Sequence, residues 1–96
     1  MTQPIKYRKK PIIIEAIQLE DNPPSFVDAL EWINKHGGKA AVDTSTSAPF
    51  ITIETLNGQQ PAKAGDAIIH GYGNEFYPCP KAVFEATYDR IVERRR

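Results

Sequence analysis

Chemistry-bearing side chains are scarce in this chain. One cysteine, Cys79, stands among 96 residues, so no internal disulfide can form and a structural zinc site would lack thiolates. His36 and His70 are the two histidines, and with scattered carboxylates they offer no metal-ligand spacing. Neither a metal nor a cofactor is expected. The longest apolar run, Ile12-Ile13-Ile14, is far below the roughly 20 residues that cross a bilayer, and no membrane association follows from it. The start of the chain also lacks the apolar stretch of a signal peptide. The expected setting is therefore cytoplasmic.

Net charge is absent as well, but not evenly absent. The chain sums to zero, whereas Lys6, Arg8, Lys9 and Lys10 put +4 on residues 1–10. The last eight residues carry +2, through Arg90, Arg94, Arg95 and Arg96 against Asp89 and Glu93, which leaves residues 11–88 at −6. If the two ends lie together, the molecule has a basic pole on an acidic body and steers anionic partners toward that pole. The plainer reading is that charged ends keep a small protein soluble.

What is present is the composition of an ordinary globular domain, 41% apolar and 25% charged. At this length it encloses one hydrophobic core, and residues 1–96 read as a single domain with a basic arm at 1–10 and a basic tail at 94–96. Pro11 to Leu19 is rich in isoleucine on both alternating faces, the pattern of a central strand covered on each side. Ser25 to His36 spaces Phe26, Leu30 and Ile33 for one helix. Ser25 and Asp28 resemble a capping box, Gly37-Gly38 supplies the stop, and His36 sits where a cation favours the helix dipole.

Ala40 to Asp43 fits a short strand, and Phe50 to Leu56 a clearer one with Ile51 and Ile53 on one face. Asn57-Gly58 matches a two-residue hairpin turn with both residues at positive φ, and Pro61 sends the return arm to a sheet edge. Ala64-Gly65-Asp66 reads as a turn in which the Asp66 carboxylate accepts backbone amides, and Ala67 to His70 as a buried strand. Gly71, Gly73 and Asn74 mark a second turn, and Pro78 and Pro80 argue against regular structure around Cys79. Residues 81–91 fit two helical turns and a last strand. The fold class is α+β: a small, mostly antiparallel twisted sheet of about five or six short strands, with the 25–36 helix packed on a face and a short C-terminal helical segment.

Few residues suggest a site. Cys79 and His70 resemble a thiol-imidazole pair, but no third member or oxyanion loop accompanies them, and a packing cysteine explains Cys79 as well. Tyr72, Phe76 and Tyr77 can form a stacking platform near Lys81 for a nucleotide or base, or can be core aromatics. His70, Tyr72, Tyr77, Cys79 and Lys81 are thus the candidate ligand contacts, and Lys6, Arg8, Lys9 and Lys10 the electrostatic ones. Four charges beside an acidic body argue against sequence-specific DNA binding.

Three segments resemble one family. Tyr7-Arg8-Lys9-Lys10-Pro11-Ile12-Ile13-Ile14-Glu15-Ala16-Ile17-Gln18 is similar to its Y-K-K-K-P-V-x-V-E-A-x-Q opening, and Ile51 to Gly58 to its I-x-T-L-E-G hairpin. Ala64 to Gly71, Glu75 to Cys79 and Phe84 to Tyr88 resemble its P-G-D-(Y/W)-I-I-x-G, E-x-Y-P-C and F-E-x-T-Y elements. These are small, uncharacterised bacteriophage and prophage proteins with a Pro-Gly-Asp-Tyr-Gly-like motif. The chain departs from them at Ala64, where proline is usual, and at Ala67, where an aromatic is common. The resemblance implies a phage or prophage context and no particular chemistry. The expected function is a non-enzymatic accessory protein that occupies a host protein or sequesters a small anionic or nucleotide ligand, and a homo-oligomer is expected. The alternatives are a small thiol enzyme using Cys79 and His70, and a structural phage component.

Overall fold

The computed structural model describes residues 2–92, so the basic tail at 94–96 lies outside the described residues. The fold is α+β. Its elements run β1 (Glu15–Gln18), α1 (Pro23–Lys35), β2 (Ala40–Asp43), β3 (Phe50–Thr55), β4 (Gly58–Ala62), β5 (Ala67–His70), β6 (Phe76–Cys79) and α2 (Lys81–Thr87). The strands divide into two three-stranded antiparallel sheets, ordered β1-β5-β6 and β2-β3-β4. Among the described residues no helix is long and apolar enough to cross a membrane.

The main core lies where α1 and the inner faces of both sheets meet. Phe26, Ala29 and Ile33 descend from α1 onto Ile51 and Ile53 of β3, Ala62 of β4, Ile68 of β5 and Phe76 of β6. Strand alternation turns Ile69, next to Ile68, to the opposite side. There it joins Ala67 and Cys79 in a second cluster, covered by Ile14, Ala16, Tyr77, Phe84 and Tyr88. The first sheet is therefore covered on both faces, and the second on one.

The central strand is β5 and not the isoleucine-rich run at Pro11–Leu19, although that run too is packed on both faces, with Ile17 and Leu19 against the main core and Ile14 and Ala16 in the second cluster. Only Glu15–Gln18 of that run pairs, on one side, with Ala67–His70. Beyond His70 the partner chain turns away at Gly71, whose amide bonds to the Glu75 carbonyl, so residues 11–14 have nothing to pair with. Ile12 and Ile13 stay exposed.

Helix α1 begins two residues before the expected Ser25. Asn22 is the N-cap, accepting from the Ser25 amide at 2.9 Å, and Pro23-Pro24 fill the first turn, where a missing N–H costs nothing. Ser25 instead uses its Oγ to accept the Glu20 amide at 2.9 Å, closing the entry to the helix. The exit is as expected. Gly37, at φ 88°, lets its own amide reach the Asn34 carbonyl while Gly38 reaches Ile33, a Schellman closure.

The β3–β4 hairpin forms with a different turn. Thr55 pairs with Gly58, so Leu56 and Asn57 make the loop, and of Asn57 and Gly58 only Gly58 takes a positive φ, 93°. That is a turn followed by a glycine bulge rather than the mirror-image turn expected of Asn57-Gly58. Thr55 Oγ1 stabilises it by donating to the Gly58 carbonyl and accepting the Asn57 amide. Pro61 sits on the edge strand β4, as its missing donor requires.

Two further expectations are corrected. Pro78 and Cys79 belong to strand β6, because β6 is an edge and needs donors on one side only. After α2, residues 88–92 form no strand; Tyr88 is used for packing against Phe84, with ring centroids 5.4 Å apart.

Candidate functional site

The five candidate ligand contacts fall in different places. His70 and Cys79 sit at opposite ends of the β5–β6 ladder, paired with Phe76 and Ala67 respectively, and on opposite faces of the sheet. His70 stacks on Phe76 of the main core, with centroids 4.2 Å apart and planes 6° from parallel. Cys79 lies with Ala67 and Ile69 behind it. An imidazole cannot reach a thiol through a strand, so the pair does not form a dyad. Lys81 opens α2, exposed, at the Cys79 end of β6, whereas Tyr72 occupies the turn at the other end.

The Cys79 environment suits packing. The residue is 8% exposed, and burial, with the Asp66 charge as a smaller contribution, pushes its thiol above the ordinary value. The protonated thiol, a poor nucleophile, points at the Pro80 carbonyl 3.7 Å away. Asp66 serves the turn, as its position after Gly65 suggests: its carboxylate accepts the Lys63 amide at 3.1 Å, while its backbone carbonyl takes the Leu19 amide at 2.9 Å.

On the other face the structure assembles a cluster that sequence reasoning missed. Trp32 and His36 from α1 meet His70 and Phe76 from the first sheet: Trp32 lies edge-on to Phe76 at 5.2 Å and to His70 at 6.0 Å, and the two imidazoles are 5.5 Å apart. Asn74, at φ 60° in the β5–β6 turn, locks it. Its Nδ2 donates to the His36 carbonyl at 3.2 Å, which turns its Oδ1 to His70 Nε2. An amide oxygen only accepts, so this network assigns the His70 proton to Nε2. By the same logic His36 donates from Nδ1 to the Trp32 carbonyl at 2.8 Å, satisfying a helix-end acceptor. His70 Nδ1 then faces Glu15 Oε1 at 3.9 Å. The His36 imidazole thus closes its own helix end, while the His70 imidazole, through Asn74, ties the His36 carbonyl to the sheet. Among the described residues no group of three or more His, Cys, Asp or Glu is placed to hold a metal ion.

Tyr72 and Tyr77 do come together, in an open groove of ≈ 490 Å³ between the two hairpins, with Glu75, Pro78, Thr55, Asn57 and Gln60 as the rest of its lining. Tyr72 is 84% exposed. Tyr77 is held: burial first, then its hydrogen bond with Tyr88, pushes its phenol up to about 12. Among the described residues no cation lines the groove and Glu75 does, which disfavours a phosphate or other anion.

The basic arm meets the C-terminal region. Lys9 Nζ lies 5.8 Å from the centre of the Tyr88 ring, a cation–π distance, and Ile14 packs into the cluster that includes Phe84 and Tyr88. Residues 2–13 are exposed and carry no regular structure. Lys9 thus sits beside Tyr88 at the outer cover of the first sheet, while Lys6, Arg8 and Lys10 are exposed in the same arm. Compared with known proteins, the chain matches no protein-family model, no curated protein and no solved structure.

Proposed function

We propose that this protein is a non-catalytic binding module of phage or prophage context, which engages an acidic surface of a bacterial host protein through its N-terminal arm. The observation that carries the reading is the seat of Lys9 on Tyr88. It holds one of four clustered cations, Lys6, Arg8, Lys9 and Lys10, against a folded face. An anchored arm loses less conformational freedom on binding than a free tail, and its clustered charge speeds encounter with an acidic partner. The separation of His70 from Cys79 across the sheet removes support from the thiol-enzyme alternative. The groove at Tyr72 and Tyr77, with Glu75 and, among the described residues, no cation, favours a macromolecular partner over a small anion.

Immobilised polyglutamate serves as the acidic probe. The protein is expected to be retained at about 50 mM salt and released by about 500 mM, where the screening length falls below the reach of a side chain. A variant with Lys6, Arg8, Lys9 and Lys10 all changed to Ser should flow through, while Cys79→Ser should bind unchanged. Equal retention of the four-fold variant would overturn the reading. A rise of several degrees in melting temperature with ATP or pyrophosphate would instead point to a small anionic ligand.

A further inference from the structure

Each three-stranded sheet has two edges, and an uncovered edge is a row of backbone donors and acceptors that can recruit another strand. Three of the four edges are guarded. Strand β4 contains Pro61, β6 contains Pro78, and β1 carries the exposed charge of Glu15. The fourth, β2, reads Ala40-Ala41-Val42-Asp43, with no proline; its charge, Asp43, has an opposite charge at Lys39 just before the strand, so the two do not repel a second copy of the same edge, and its Val42 is 37% exposed.

The β2–β3 register determines which groups face outward. The Glu54 amide donates to the Lys39 carbonyl at 2.9 Å, and the ladder continues with Ala41 opposite Thr52 and Asp43 opposite Phe50. Because an antiparallel ladder alternates, Lys39, Ala41 and Asp43 direct their backbone groups to β3. Ala40 and Val42 direct theirs to the open edge. Side chains alternate too: Ala40 and Val42 lie on the face of Ile51 and Ile53, and Lys39, Ala41 and Asp43 on the polar face.

We infer that the β2 edge is a self-association seam, on which a second copy of this chain pairs antiparallel about a two-fold axis through Ala41. A second β2 must set outward residues against outward residues. Three registers do so, placing Ala40 opposite Ala40, Ala40 opposite Val42, or Val42 opposite Val42 of the second copy. In the middle one both Ala40–Val42 pairs exchange backbone hydrogen bonds, and Lys39 of each copy faces Asp43 of the other. In the outer two Lys39 faces Ala41 or Ser45 and finds no opposite charge. The self-complementarity of Lys39-Ala40-Ala41-Val42-Asp43 therefore selects one register.

Both charges are ready for it. Asp43 is oriented by Ser45, whose amide donates at 2.8 Å and whose Oγ also donates, and among the described residues no carboxylate forms an ion pair with Lys39. The product is one continuous six-stranded sheet with Val42 covered. A four-residue seam buries well under the roughly 1,200 Å² of a stable interface, so the association is weak and reversible, with a dissociation constant on the order of tens to hundreds of micromolar.

Sedimentation equilibrium of the full chain up to about 1 mM is expected to show a monomer–dimer equilibrium. Lys39→Asp sets carboxylate against carboxylate twice and should weaken it roughly tenfold; adding Asp43→Lys reverses both charges and should restore it. Ala41→Cys, made with Cys79→Ala, brings two thiols together at a pair whose Cα atoms are about 4.5 Å apart. It should oxidise to a covalent dimer much faster than Leu56→Cys at the exposed turn tip. A monomer throughout the concentration range overturns the inference. So does a dimer indifferent to Lys39→Asp, or an Ala41→Cys variant that cross-links no faster than Leu56→Cys.

Discussion

The two sheets are equal in strand number and opposite in how they meet the rest of the molecule. In the first, the central strand Ala67-Ile68-Ile69 is buried residue after residue, with Ile68 in the main core and Ile69 in the second cluster. In the second, the central strand Phe50–Thr55 buries Ile51 and Ile53 and leaves Glu54 in solvent. A continuous apolar run belongs to a strand roofed on both sides, and an alternating one to a strand roofed on one. The consequence for binding is direct. The first sheet has no face left to offer, and its outer cover, Tyr88 with Phe84 and Ile14, becomes the seat of the basic arm. The second sheet keeps an open polar face and the one unguarded edge.

The sharpest way to break this contrast is by truncation on each surface. Ile53→Ala opens a cavity in the larger core and should cost about 4 kcal/mol of stability, and Ile69→Ala, in the smaller cluster, about 2–3 kcal/mol. Glu54→Ala, on the open face, should stay within about 0.5 kcal/mol. Urea titrations would check the order, and an Ile69 effect as small as that of Glu54 would mean that the outer cover is not packed.

A smaller effect, about 1 kcal/mol, is expected for Asn74→Ala, which removes the hydrogen bonds to His70 and the His36 carbonyl. The His36 and His70 ring signals in a proton–nitrogen spectrum should move together, and a shift at His70 alone would show that Asn74 does not couple helix to sheet.

The smallest effect at neutral pH concerns Tyr77. Its phenol is raised from 10.0 to about 12, so the folded state holds the proton where the unfolded chain has lost it. Stability from this source is complete below pH 10 and is lost as pH rises through about 12. Tyr77→Phe should flatten that alkaline decline in melting temperature, apart from the share due to Cys79, whose thiol is raised from 9.0 and acts in the same direction. An unchanged decline would show that the outer face is open to water.

Much of the fold was legible because it depends on neighbours in the chain. The spacing of Phe26, Leu30 and Ile33, the Gly37 exit, the alternation around Ile51 and Ile53, and Pro61 at an edge each follow from residues a few positions apart. The Pro11–Leu19 run misled because apolar content says that a strand can be covered, not that a partner reaches it. Here the partner strand ends at His70. The site was less legible still. The His36–His70 contact joins residues 34 positions apart through an asparagine whose only local signal is its place after Gly73. The Cys79–His70 pairing suggested by proximity in the chain is undone by the parity of one strand pair.

The residues alone determined an antiparallel α+β chain with one main helix, tight hairpins and a charge-rich arm, since periodicity, capping and turn preferences act over a single turn or pleat. Only the tertiary structure decided that the strands split into two sheets, that β5 and not the isoleucine run is the central strand of its sheet, and that Lys9 reaches Tyr88. Those outcomes rest on which surfaces exclude water together, a competition among all elements at once that no local pattern encodes.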